Sequence, residues 1–248
     1  MKWEKLGRVF SPDGEIDWMV THAAVPIAES MGGDLFRIYF SSRDREGRSH
    51  TGYVVIDLNR PQQILDLSSR PVLSPGAPGE FDDSGAMATW LTEAPDGRKY
   101  LYYIGWNLGV TVPFRNSVGL AIGAESPDFR RAFSGPILDR TRLEPHFTAS
   151  CSVIPGDDLW RMWYLSCTCW CIEDGRPQPR YHIKYAESAD GIEWRREGVV
   201  AIDYATEAEY AISRPTVIRA AGRWRMWFSS RGESYRIGYA ESVDGRRW

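Results

Sequence analysis

Residues 181–194 read YHIKYAESADGIEW and residues 235–248 read YRIGYAESVDGRRW, with nine of fourteen positions identical. Tyr, Ile and Tyr fall at every second position in each copy, the period of an extended strand rather than a helix. The Asp-Gly that follows suits a tight connection to a further strand. The copies are therefore read as the same hairpin element used twice, and internal repetition becomes the first question to put to the chain.

Working outward, three patterns recur in a fixed order. A compact apolar strand comes first: HAAVPIA (22–28), GAMATWL (85–91), ASCSVI (149–154) and SRPTVI (213–218). An aromatic strand follows a short turn: FRIYFSSRD (36–44), KYLYYIGWN (99–107), WRMWYLSC (160–167) and WRMWFSSRG (224–232). The third element is its hairpin partner: HTGYVVIDL (50–58), SVGLAIGAES (117–126) and the two YAES copies. A weaker fourth strand is IEWRREGVVAID (192–203), matched one unit earlier by RRAFSGPIL (130–138). RMW recurs at 161 and 225 but the opening Tyr at 181 and 235, so the spacing difference falls in one loop, SCTCWCIEDGRPQPR. Four short antiparallel strands per unit describe β-propeller blades.

The expected architecture is all-β: a single propeller domain over 1–248, with blades near 18–72, 81–140, 144–203 and 209–248. MKWEKLGRVFSP aligns with IEWRREGVVAID, placing Trp3 where Trp194 falls, so residues 2–10 are expected to close the ring as a strand of the last blade. That blade is either the fourth or a fifth that these 248 residues do not contain. Trp163 and Trp227, repeated in RMW, read as blade packing, as do Arg43 and Arg231 in the repeated SSR.

Composition excludes several classes. The 248 residues hold eleven Trp, twelve Tyr, 23 Gly and 15 Pro, and no sustained helical stripe. A formal charge of −3 with mixed signs gives no nucleic-acid or anionic-membrane footprint. No apolar run approaches the roughly 18 residues of a bilayer span, and MKWEKLGRVFSPDGE has no signal-peptide pattern, so a cytoplasmic location is expected. Cys151, Cys167, Cys169 and Cys171 read as reduced thiols, because CTCWC lacks the usual CxxC metal spacing. Neither a metal nor an organic cofactor is expected. The catalytic motifs GxSxG, HExxH, the P-loop and GxGxxG are absent.

The ordered units resemble the five-bladed propellers of the arabinanase, invertase and levansucrase clan of glycoside hydrolases. More narrowly, FDDSGAM (81–87), GPILDRTRLEPHF (135–147), EYAISRPTVI (209–218) and YRIGYAES, with Ser49–His50 and Gly105–Trp106, are similar to uncharacterised glycosylase-like proteins of bacterial lipopolysaccharide and capsule gene clusters. Those proteins carry a further unit with a GWDSEM-like segment, which implies a ring of five blades with four visible here and a C-terminal truncation.

The resemblance also implies where chemistry sits. Innermost strands line the channel, so acids just before them converge: Asp82 and Asp83, Glu144, and Glu209. Glycoside hydrolysis uses one protonated carboxyl and one carboxylate, and clustering of acids separates their pKa values. Glu144 is then the expected general acid, Asp83 the orienting acid, and Glu209 the base or a further pocket carboxylate. The clan's first-blade Asp is replaced by Thr21–His22, with Asp17 five residues before His22. His22, His50, Asp82, Trp90, Trp106 and Arg214 are the expected substrate-binding residues, with Trp170 on a plausible pocket wall. The expected activity is cleavage or processing of a glycosidic bond in a bacterial surface glycan or related oligosaccharide. The alternatives are a non-catalytic carbohydrate-binding propeller and a glycoside phosphorylase.

Overall fold

The computed structural model describes residues 5–156 and 158–248, and its regular structure is entirely β. Blade 1 comprises β1 (Thr21–Gly32), β2 (Leu35–Arg43), β3 (Ser49–Asp57) and β4 (Ile64–Leu67), paired antiparallel in chain order. Blade 2 repeats this with β5 (Gly85–Glu93), β6 (Lys99–Leu108), β7 (Phe114–Gly123) and β8 (Arg130–Arg131). Blade 3 has β9 (Thr148–Ile154), β10 (Trp160–Glu173), β11 (Arg176–Ser188) and β12 (Val200–Ile202). Blade 4 has β13 (Ala211–Ala220), β14 (Arg223–Arg231) and β15 (Tyr235–Ser242). Single parallel bridges, Ser49↔Gly85 and Tyr181↔Ala211, link neighbouring blades.

The repeated segments pair in identical register. Trp160 faces Ser188 and Trp163 faces Tyr185 in blade 3, as Trp224 faces Ser242 and Trp227 faces Tyr239 in blade 4. Each YAES strand ends in a turn closed by its own side chains. Ser188 Oγ accepts from Gly191 N at 2.9 Å, and Asp190 Oδ1 accepts from Ile192 N and Glu193 N at 2.8 and 2.9 Å. Ser242 and Asp244 do the same for Gly245, Arg246 and Arg247. Gly191 and Gly245 both sit at φ 75°, the left-handed region that favours glycine.

Apolar seams hold the blades together. Tyr39, Leu101 and Tyr103 pack between blades 1 and 2; Tyr102, Trp160 and Tyr164 between blades 2 and 3; Trp163, Tyr185 and Trp224 between blades 3 and 4. Burying each large side chain contributes about 1.5–3 kcal/mol. Beyond blade 4 the same face is open. Ile183 is 0% exposed and its repeat partner Ile237 is 79% exposed; Tyr185 is 3% and Tyr239 49%.

The N-terminal segment does not pair with blade 4, one of the two blades that the alignment of MKWEKLGRVFSP allows. Residues 5–10 form no strand and pair with none in blade 4. Gln62 Nε2 donates to the Leu6 carbonyl at 2.9 Å, and Val9 and Phe10 pack on Trp18, Phe40 and Val54 of blade 1. Apolar side chains there find their partners among the apolar side chains of blade 1. Trp3 lies outside the described residues.

Candidate functional site

The innermost strands are β1, β5, β9 and β13, and their pairings with the second strands all carry register breaks. Residues displaced at such bulges turn off the ladder. Thr89, at the break in β5, accepts a hydrogen bond from Cys151 N on β9 at 3.2 Å. Ser150 and Ser152 of β9 accept from Arg214 N and Val217 N of β13, at 3.1 and 3.2 Å. Inner strands thus bind one another through side chains.

Three residues at these breaks have left-handed backbones: His22 at φ 68°, Val25 at 50° and Arg214 at 57°. For β-branched Val25 this is a costly geometry, and such strain collects at functional sites. The breaks surround a cavity of about 250 Å³ lined by Pro26 and Ile27 of β1, Thr89 and Trp90 of β5, and Arg214 and Thr216 of β13, among others.

Arg214 is the charged group of this cavity. Its Nη2 donates to the Pro26 carbonyl at 2.8 Å, while Nη1 is buried with no hydrogen-bond partner. No carboxylate among the described residues lies within ion-pair distance of it. Burial pulls its pKa down to about 10. Trp90 is fixed by its indole Nε1, which donates to the Val153 carbonyl at 2.6 Å. The cavity therefore combines a clamped aromatic surface with a guanidinium whose Nη1 has no protein partner.

The acids expected to converge do not line this cavity. Glu144 is 6% exposed and points into the scaffold. Lys184 Nζ and Arg196 Nη1 contact its two oxygens at 2.8 and 2.7 Å, and the Tyr164 hydroxyl donates at 3.0 Å. Burial alone would raise its pKa, but Lys184, Tyr164 and Arg196 outweigh that and hold it below the ordinary glutamate value. A general acid needs the opposite. Asp82 is fully buried against Arg131, Oδ2 to Nε 2.9 Å, which also places Arg131 over the Tyr103 ring. Asp82–Arg131 and Glu144–Arg196 are equivalent acid–arginine staples in successive blades, with the Tyr103 ring under Arg131 and the Tyr164 hydroxyl donating to Glu144.

Asp83 is half-buried and caps the turn before β5. It accepts from Asn107 Nδ2, Gly79 N and Ser84 Oγ at 2.8, 3.0 and 3.0 Å. Burial opposes ionisation, but these donors keep its pKa below normal. Glu209 accepts from Ser230 Oγ and from Ala205 N, which lower its pKa, and lines a separate recess of about 350 Å³ on blade 4. Among the described residues Asp83, Glu144 and Glu209 share no hydrogen-bond partner, and neither Asp83 nor Glu144 borders the recess that Glu209 lines.

The remaining expected site residues divide. His22 is exposed, its Nδ1 2.8 Å from Thr21 Oγ1. His50 is buried on Asp44, Nε2 to Oδ2 3.0 Å, a structural contact. Trp106 stacks under Arg43 at 5.6 Å and leaves its buried Nε1 without a partner. All four cysteines are free, Cys169 and Cys171 with sulfurs 3.3 Å apart. No group of three or more metal-ligating side chains occurs among the described residues.

Sequence reading missed the staples because their arginines lie 49 and 52 residues from the acids. The signal was the Arg-Arg pair repeated at 130–131 and 195–196, whose second member binds each acid.

This four-blade arrangement is the fold of propeller glycoside hydrolases. The α-L-arabinanase of Cellvibrio cellulosa superposes with a TM-score of 0.67 at 12% identity, over 95% of this chain and 79% of the arabinanase. A candidate glycosidase of Bacteroides thetaiotaomicron gives 0.73 at 14%, over 96% and 78%. The Bombyx mori β-fructofuranosidase BmSUC1 gives 0.65 at 16%, over 91% and 47%. The chain belongs to the family of the uncharacterized Mycobacterium tuberculosis proteins Rv1502 and MT1551, each 44% identical over all 248 residues and spanned to 82%. No broader family profile matches the sequence.

Proposed function

We propose that this protein is a glycoside hydrolase-like propeller that takes a sugar unit of a bacterial surface glycan or related oligosaccharide into the axial cavity. The observation that carries this reading is Arg214, a half-buried cation whose Nη1 has no protein partner, in the same cavity as the fixed Trp90. Sugars present apolar C–H faces to aromatic rings and hydroxyl acceptors to guanidinium groups, and convergent polar groups in a concave apolar site are the mark of a ligand pocket. Asp83 and Glu209 are ionised and only partly buried but lie outside that cavity, so either acts as base or nucleophile only on a glycosidic bond that extends beyond it; Glu144 serves the scaffold.

A fifth blade seats on the exposed face formed by Tyr235, Ile237 and Tyr239. Supporting this, the equivalent face of blade 3 is buried, and the curated relatives are longer than the chain, which spans 82% of them. Such a blade would border the same axis and could supply a proton donor.

The test is reducing-sugar release from a polysaccharide panel by the wild-type chain and by Asp83→Asn, Glu209→Gln and Arg214→Gln. Turnover lost in these variants, with folding intact, supports the reading; turnover unchanged in all three overturns it. A second reading, glycan binding without hydrolysis, is favoured by one observation: all three expected acids are held ionised. It is distinguished by saturable binding without product.

A further inference from the structure

Away from the axial cavity, a groove of about 270 Å³ opens between blades 2 and 3, at the end where the inner strands begin. Its wall is aromatic. Phe114 at the start of β7, Phe147 just before β9 and Trp170 near the tip of β10 pack mutually, with ring centroids 5.3–5.6 Å apart. Phe147 is buried, while Phe114 and Trp170 keep part of their surface open. Around this wall stand Arg115, Arg140 and His146.

The charge of the groove is unbalanced. No carboxylate lines it, and no ion-pair partner of Arg115 occurs among the described residues. Arg140 meets only Asp139, at 3.8 Å with both side chains about half exposed, and Asp139 is already taken by Ser117 Oγ at 2.8 Å. So loose an exposed pair contributes little. The groove thus combines stacking surface with two guanidinium groups that can receive an anion, bidentately where geometry allows.

Building on the carbohydrate reading above, we propose that this groove is a subsite for an acidic sugar unit, carrying either a carboxylate or a phosphate. The apolar face of the ring lies against Trp170 and Phe114, and the anionic group lies between Arg115 and Arg140. A neutral sugar would gain only the stacking. A membrane surface or nucleic acid fits less well, because the groove holds a single unit and the chain carries a net charge of −3.

Calorimetry of the full chain with trigalacturonate and maltotriose, and with glucose 6-phosphate and glucose, tests this without requiring turnover. The acidic member of at least one pair should bind about tenfold more tightly, and the preference should shrink with added salt. The carboxylate and phosphate arms show which group is read. Arg115→Gln with Arg140→Gln, both on the surface, should abolish the preference without changing the melting temperature. Trp170→Ala should weaken acidic and neutral ligands alike. Equal affinities within both pairs, or a preference that survives the double variant, would overturn the proposal. Failure of hydrolysis at the axial cavity would leave these binding results untouched.

Discussion

The indole Nε1 of Trp163, in the middle of blade 3, donates to the carbonyl of Gly245 in the terminal turn of blade 4 at 2.7 Å. One blade earlier the Tyr102 hydroxyl donates to the carbonyl of Gly191 at 2.8 Å, in the same turn of the next blade. The repeated Ser-x-Asp-Gly is therefore an inter-blade clasp. Its glycine turns the chain left-handed and presents a carbonyl to the preceding blade's central aromatic.

Trp163→Ala should be severe and Trp227→Ala mild, although both come from the same RMW repeat. Trp163 is 0% exposed and Trp227 faces the open side of blade 4. Emptying the first site should cost about 3–5 kcal/mol, and the second should cost under about half of that. Urea unfolding midpoints of the two variants decide this; equal losses would refute the assignment of the seam.

Glu144→Gln should destabilise the fold by about 3–5 kcal/mol, because Lys184 and Arg196 would be left buried without their counter-charge. The same pair sets a pH dependence. The folded pKa of Glu144 is depressed, so its contribution is full above the unfolded glutamate value and is lost as pH falls through the folded value. Acid unfolding of the wild type should therefore be steeper below about pH 4.5 than that of Glu144→Gln. Parallel acid curves followed by circular dichroism would contradict this.

Ile183→Asp should prevent folding or cost several kcal/mol by burying an unpaired acid. Ile237→Asp, at the equivalent place on blade 4, should change stability by less than about 0.5 kcal/mol in this chain. If a fifth blade seats there, supplying it in cis should reverse the tolerance. Thermal melts of the two variants, with and without that extension, check both statements.

The blade architecture was legible because a strand period of two and a turn motif are local signals, and YAES-DG-W repeats both. The seams were also legible, since Trp163 and Tyr185 recur with their neighbours. The roles of the acids were not. Position before an inner strand says where Glu144 begins, but its partners Lys184 and Arg196 decide where it points, and both are distant in sequence. The axial cavity was half legible: Trp90 and Arg214 were anticipated, whereas the register breaks that turn Arg214 inward depend on pairing between strands. The place of the N-terminal segment was not legible, because the resemblance of Trp3 to Trp194 carries no information about which blade offers an apolar face.

The central claim is that the axial cavity holds the sugar, and Arg214 tests it most directly. Its Nη1 is buried without a partner and no carboxylate among the described residues pairs with it, so Arg214→Met should leave the fold as stable as the wild type or slightly more stable. The decisive measurement is oligosaccharide affinity of that variant by calorimetry, on protein shown by melting to be folded. The account expects a loss of at least tenfold. Unchanged affinity in a folded Arg214→Met would contradict it.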